Sequence, residues 1–282
     1  MTSPPDRPLV SIVTVVRNGA ATLERTIRSV LGQSYRPIEY IIIDGASTDG
    51  TTDIVRRHEA ALAFWRSEPD RGISDAFNKG LALARGAFIG FLNADDWMEP
   101  RQVAEAVAAL ERTGADFVFG DLIYHLADGR PAHRVLGDLE YAGVIDRRMP
   151  EVAHPTLLAR RVIFDRVGGF DCRYRRAMDY DWLLRAHRAG FRGAYAPGLV
   201  GHMSLAGRSD ADFVRALGEV RTISVRHGRP LLTAWSAYLF RLAKGSLQRL
   251  SNRVLPRPAY VWLRRRVNRS YHPDLGRSWH DR

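Results

Sequence analysis

A chain of 282 residues, 45% apolar and 26% charged, can bury a sizeable core and has the composition of a globular protein. The single cysteine, Cys172, excludes an internal disulfide, and no apolar run approaches the ~18 residues of a membrane span. MTSPPDRPLVS lacks the basic start and apolar centre of an export leader, so the expected location is cytoplasmic.

The first half alternates strand and helix patterns. PLVSIVTVV (8–16) is an apolar run of strand length, and TLERTIRSVL (22–31) places Leu23, Ile27, Val30 and Leu31 on one helical stripe behind Thr22 as expected N-cap. IEYIIID (38–44) is a second strand, 51–58 a short helix, AFWRSE (63–68) a third strand and ISDAFNKGLALA (73–84) a helix. AFIGFLN (87–93) is a fourth strand, a helix follows Pro100, and DFVFGDLIYHL (116–126) begins a fifth strand with a turn at Asp128-Gly129. The alternation implies an α/β fold with a mainly parallel sheet flanked by helices, in which ligands bind beyond the carboxyl ends of the strands.

The second half is less regular. Residues 155–171 read as strand, short helix and Gly-Gly turn, 178–190 as a helix, and FRGAYAP (191–197) as a last strand. LLTAWSAYLFRLAKGSLQRL then has apolar residues at 231, 235, 238, 239 and 242, the spacing of an amphipathic helix. The formal charge of +11 concentrates there: from Pro230 onward eleven Arg and Lys face two acids, a net of +9. Residues 1–215 are thus expected to form the main domain, with a regularly alternating first half (1–105) and a less regular second half (106–215), and 216–282 a basic helical extension.

Four acidic segments lie at strand ends or helix starts. IIIDGASTDGT offers Asp44 and Asp49 in a loop whose carboxylates can accept from a base edge or ribose, or close a turn. In SEPDRGISDAFNKG, Arg71 and Lys79 can meet phosphate and Asp75 can hold a base or cap a turn. Asn93-Ala94-Asp95-Asp96 ends a buried-strand pattern in two adjacent like charges, a repulsion that solvent, a nearby cation or a hard divalent ion would relieve. In AMDYDW, Asp179 and Asp181 do not share a helix face, and Asp179, at the helix start, is placed to face a cleft and stay ionised as a general base.

In this order, VSIVTVVRNGAATLERTIRSVLGQSY, IEYIIIDGASTDGTTDIV, SEPDRGISDAFNKGLALARGAFIGFLNADDW and HPTLLARRVIFDRVGGFDCRYRRAMDYDWLLRA resemble the family 2 glycosyltransferases, which have the GT-A fold, over residues 8–205. The likeness is nearest to the bacterial branch that builds surface polysaccharides. It implies inverting transfer from a nucleotide-diphosphate sugar to a saccharide or lipid-linked acceptor, with Mn2+ or Mg2+. By position, Asp44 would contact the base, Asn93 and Asp96 the donor, Asp95 the metal, and Asp179 would be the base catalyst. His202 is a further metal candidate, and His154 a candidate for positioning acceptor or phosphate. Asn93 stands where the family has its first Asp, and Met178 where it has Glu, which leaves a donor-binding protein without catalysis as the rival. A pyrophosphorylase or an NAD-dependent dehydrogenase would want a Gly-rich turn where this chain has VVRNGAAT. The basic tail is a solvated appendage, a foot on the inner face of the membrane or, least expected, a nucleic-acid patch.

Overall fold

The computed structural model describes residues 7–204, 213–254 and 271–272, with the backbone alone for 248–254 and 271–272. WLRRRVNR (262–269), the most basic part of the tail, lies outside the described residues.

The first half follows the alternation read from the sequence: β1 (Val10–Val16), α1 (Leu23–Leu31), β2 (Ile38–Asp44), α2 (Thr51–Arg57), β3 (Phe64–Ser67), α3 (Ile73–Leu83), β4 (Phe88–Asn93), a two-residue β5 (Trp97–Met98) and α4 (Gln102–Thr113). A hairpin of β6 (Phe117–His125) and β7 (Pro131–Val135) turns at Asp128-Gly129, and α5 (Tyr141–Val144), β8 (Leu158–Arg160), α6 (Arg161–Val167) and α7 (Met178–Arg188) follow. β9 (Gly193–Ser204), α8 (Phe213–Arg226), α9 (Leu231–Val254) and β10 (Tyr271–His272) complete the described chain.

The strands form one sheet in the order β10-β7-β6-β8-β4-β1-β2-β3, with β9 beside β6 and β5 on β9. β4, β1, β2 and β3 run parallel, while β8 is antiparallel to both β4 and β6. Alternate residues of each strand serve opposite faces. Val13, Val15, Ile41, Ile43, Phe91, Phe117 and Phe119 pack with α3, α6, α7 and α8, whereas Ile12, Val16, Tyr40, Ile42, Leu92 and Val118 pack with α1, α2 and α4. Having helices on both faces makes the central strands continuous apolar runs, which is why they were legible. Across the sheet, Glu39 on β2 accepts hydrogen bonds from Ser11 Oγ (2.5 Å) and from Arg85 N and Nε (both 2.7 Å), tying β1, β2 and the turn before β4.

Three features depart from the sequence reading. Thr22 makes no side-chain cap; its hydroxyl instead donates to Gly19 O at 3.4 Å. The last strand does not stop near 197 but continues as β9 to Ser204, because residues 200–204 pair with β6 and bring His202 against Trp97 of β5. The 215/216 boundary falls inside α8, which buries Leu217 and Ile223 and joins the same core as α7.

Candidate active site

The carboxyl ends of β2 and β4 flank that of β1: Val15 pairs with both Ile43 and Asn93, and Val16 with Asp44. With ~4.8 Å between strands, the Asp44 and Asn93 backbones are about 10 Å apart on one edge. Asp44 is wholly buried and accepts from Ser47 N (3.0 Å), Ser67 Oγ (2.6 Å) and the Ser47 hydroxyl. Both oxygens are engaged in shaping the loop, so contact with a base requires Ser47 or Ser67 to release one. Asp49 likewise joins two loops, accepting from Ala20 N (3.0 Å) and Thr51 N (3.1 Å). Asn18 meets the same loop, with its N–H on Ser47 Oγ (2.7 Å) and its Oδ1 accepting from Thr48 N (2.9 Å).

Arg71, Asp75 and Lys79 come together at the start of α3, but their charges face one another. Arg71 donates to Asp75 from its backbone (3.1 Å) and guanidinium (2.9 Å), while Lys79 Nζ lies 2.9 Å from Glu68 and 2.8 Å from Pro69 O. Arg71 beside Asp75 holds that carboxyl below its usual range. A phosphate at Arg71 or Lys79 would have to compete with these partners.

The acid turn separates its two aspartates by depth. Asp96 is fully buried; its Oδ2 accepts from Asn93 Nδ2 at 2.9 Å, while its Oδ1 and Asn93 Oδ1 have no hydrogen-bond partner. Asp95 remains partly exposed, with Arg25 donating to its carbonyl at 3.2 Å and Thr26 Oγ holding the carbonyls of Ala94 (2.9 Å) and Asp96 (2.7 Å). Burial first, then the Asp95 charge, pushes the Asp96 carboxyl well up; burial also raises Asp95.

His202 lies parallel to Trp97 with ring centroids 5.0 Å apart, its Nε2 2.6 Å from Glu99 and its Nδ1 2.8 Å from His125 Nε2. Arg25 covers the same Trp97 ring, 3.5 Å from its centroid, and so joins the His202 neighbourhood to that of Asp95. Two buried acceptors without donors, beside a carboxylate raised by burial, fit a cation that Asp95 could hold; His202 could join only by giving up Glu99 or His125, since both its ring nitrogens are engaged. Asp95 and His202 form no ready-made centre: among the described residues no three His, Cys, Asp or Glu side chains are grouped to hold a metal. The other positions would fall to diphosphate and water, as suits a hard divalent ion.

Asp179 sits in the first turn of α7, in a narrow recess lined by Phe91, Val152, His154, Leu157, Phe164, Phe170, Trp182 and Leu183. Burial raises its carboxyl to about 6, outweighing the hydrogen bond from Tyr180 N; the helix N-terminus does not keep it at an ordinary value. His154 shares this recess, held neutral by burial with its pKa lowered to about 4, and its Nε2 has no partner. Phe91 and Asn93 occupy the same face of β4, about 7 Å apart along the strand, so the recess lies beside the acid turn.

The loop before α7 also meets α3. Ser74, at the start of α3, donates to Tyr174 O at 2.6 Å and lies 3.0 Å from Met178 Sδ. Met178 is buried against α3, which explains an apolar residue there. Asp181 turns away, bound to Arg185 (2.8 Å) and His227 (3.0 Å), as expected of a structural partner. Trp182 is fully enclosed and stacked on Phe164. Sequence reasoning missed Ser74, His125, Arg25 and Glu219. The helical spacing of Val214, Leu217, Val220 and Ile223 signals α8, but nothing in it points Glu219 at α7.

The model of glycosyl transferase family 2 matches residues 11–181. Among similar proteins, a glycosyltransferase of Mycobacterium tuberculosis is 34% identical over 185 residues, covering 64% of this chain and 69% of that protein. The glycosyltransferase EpsE of Bacillus subtilis is 31% identical over 194 residues, covering 66% and 69%. Of solved structures, mannosyltransferase PcManGT from Pyrobaculum calidifontis, in complex with GDP-Man and Mn2+, superposes with a TM-score of 0.62 at 22% identity, over 93% of this chain and 80% of that one. S. aureus TarS 1-349 with UDP-GlcNAc gives 0.59 at 17%, over 76% of this chain and 66% of that one, just under two thirds of its length. These likenesses show the GT-A fold, with its mostly parallel sheet between helices. A family match that runs from β1 into α7 makes this chain a member of glycosyl transferase family 2.

Proposed function

We propose that the protein is an inverting glycosyltransferase with Asp179 as general base, acting on a nucleotide-diphosphate sugar in the assembly of a cell-surface glycan. The observation that carries the reading is Asp179 in an apolar recess beside the acid turn, with its carboxyl raised to about 6. A base tuned near working pH is half-way between holding and releasing its proton, which suits proton transfer. An acceptor hydroxyl gives its proton to Asp179, and its oxygen forms the new bond to the anomeric carbon. The bond from that carbon to the diphosphate breaks on the opposite side, and the nucleoside diphosphate leaves with the electron pair. Asn93 and Asp95 face the donor; Asp95 would hold a divalent cation, with His202 joining on release of Glu99, and that cation would neutralise charge on the diphosphate.

The reading is supported by nucleotide sugars bound to structural neighbours and by a 31% identical relative from Mycobacterium bovis described as a PGL/p-HBAD biosynthesis glycosyltransferase. Release of nucleoside diphosphate from a panel of sugar donors tests it. Asp179→Asn is expected to lower turnover ~10²–10⁴-fold, and wild-type kcat/KM to fall below pH 6. Turnover in Asp179→Asn equal to wild type removes the base, and a donor that binds without release favours the binding-only reading.

A saccharide acceptor carried on lipid follows from a second observation. No described helix is long and apolar enough to cross a membrane, yet α9 leaves Leu232, Leu239, Phe240 and Leu247 exposed. Arg241 is not on that face: it turns inward and donates to Met149 O at 3.3 Å. The exposed face is therefore apolar rather than basic, and docking on the cytoplasmic membrane surface would rest on these side chains. Co-sedimentation with anionic vesicles should weaken severalfold in a Leu232→Ser/Phe240→Ser variant; unchanged sedimentation removes the foot.

A further inference from the structure

Glu219 lies in the middle of α8, a helix that sequence reading assigned partly to the extension. Its carboxylate accepts hydrogen bonds from three successive backbone N–H groups: Arg175 (3.1 Å to each oxygen), Arg176 (2.7 Å) and Ala177 (2.9 Å). Ala177 is the N-cap of α7, so these amides immediately precede the turn that carries Asp179. Charge-assisted bonds of this length are stronger than neutral ones, and an anion at a helix N-terminus also meets the helix dipole favourably.

Two further hydrogen bonds tie α7 to α8 and to the residue just beyond it. Ser224 Oγ lies 3.3 Å from Tyr180 Oη, and His227 Nε2 lies 3.0 Å from Asp181 Oδ1. From the other side, Ser74 of α3 holds Tyr174 O. The start of α7 is thus fixed between the donor-side helix α3 and α8. Without Glu219 the three amides would lose their common acceptor.

We propose that Glu219 is a positioning residue for the transfer reaction: by gathering the amides of Arg175, Arg176 and Ala177 it sets the placement of Asp179 in its recess, making α8 a working part of the catalytic half. The inference rests on Asp179 being the base. It gives Glu219 an electrostatic effect as well as a mechanical one, since a negative charge at the start of α7 disfavours a second one on Asp179. The charged and titratable groups around Asp179 are His154 from the 154–156 turn, neutral by burial, Arg175 and Arg176 from the preceding loop, Glu219 from α8, and Asp181 on its own helix, paired with Arg185 and His227.

The experiment compares wild type, Glu219→Ala, Glu219→Gln and Asp179→Asn in the full chain. It follows nucleoside diphosphate release from pH 4.5 to 8.5, with thermal melts to confirm folding. Glu219→Ala is expected to lower kcat about tenfold or more while donor KM stays within about twofold, the pattern of misplaced chemistry rather than lost donor contact. Glu219→Gln keeps an acceptor oxygen for the two shorter bonds and should restore kcat to within about threefold. Having lost the negative charge, it should move the acid limb of kcat/KM to lower pH. A glutamate whose charge does not reach Asp179 would not move that limb. If Glu219→Ala does not fold, the limb shift in Glu219→Gln decides alone. Unchanged kcat in Glu219→Ala, or an unmoved limb in Glu219→Gln, overturns the inference while Asp179→Asn stays inactive. Full turnover in Asp179→Asn instead overturns the base assignment beneath it.

Discussion

At the carboxyl edge of β1 and β2 each carboxylate is met by several donors, whereas in the α7 recess Asp179 accepts one short-range bond from its neighbour's amide and is otherwise walled by Phe91, Phe164, Phe170 and Trp182. Asp44 and Asp49 are engaged in building loops. Asp179 is half-buried among apolar side chains without a full set of partners, and its affinity for a proton rises accordingly. Acids in one fold therefore divide by environment: saturated ones hold the shape of the site, and on the function proposed above the under-satisfied Asp179 is the one left for chemistry. The acid turn combines both, with Asp96 buried beneath a partly exposed Asp95.

Asp179→Asn is the sharpest break of this comparison, with the loss given above. Next in size is the contrast within the acid turn. Asp95→Asn should weaken metal-dependent donor turnover ~10–100-fold, the range found when metal-site groups are disturbed, and isothermal titration with Mn2+ should show weaker binding. Asp96→Asn should retain turnover within about fivefold, because Asp96 is enclosed beneath Asp95 and an amide of similar shape keeps an acceptor oxygen in its place. Equal loss in the two variants would mean that Asp96 opens to the donor, and the division by depth would fail.

Much of this organisation was legible, and the illegible part has a common cause. β1, β2 and β4 announce themselves because both faces are buried, and Asn93 to Asp96 stand out because charge follows such a run without interruption. His202 was a candidate by resemblance, but its setting was not readable: pairing to β6 carries β9 through Pro197 and Gly198, residues that in sequence look like an end. Amphipathic spacing tells which residues of α9 share a face, not which face meets the protein. α9 packs its Ala234 and Arg241 side inward and leaves leucines outside. Glu219 was invisible for the plainest reason: three donors from residues 175–177 reach it across more than forty positions of chain.

The smallest expected effect tests the saturated side of the comparison, away from any ligand. Burial alone would raise Glu39, but hydrogen bonds from Ser11 and from the Arg85 amide and guanidinium outweigh it and hold the carboxyl below its ordinary 4.5. A carboxyl whose folded value is depressed stabilises the fold fully above its unfolded value, and that contribution disappears as pH falls through the lower folded one. Arg85 is 76% exposed at its side chain, so solvent screens the charge and the Ser11 hydroxyl and Arg85 amide account for most of the effect. Glu39→Gln should therefore cost ~1–3 kcal/mol at pH 7, read from denaturant unfolding, and the gap to wild type should narrow below about pH 4.5 as the native carboxylate takes up its proton. A gap that stayed constant down to pH 3 would show that packing, not the ionised acceptor, holds β1, β2 and the turn before β4 together.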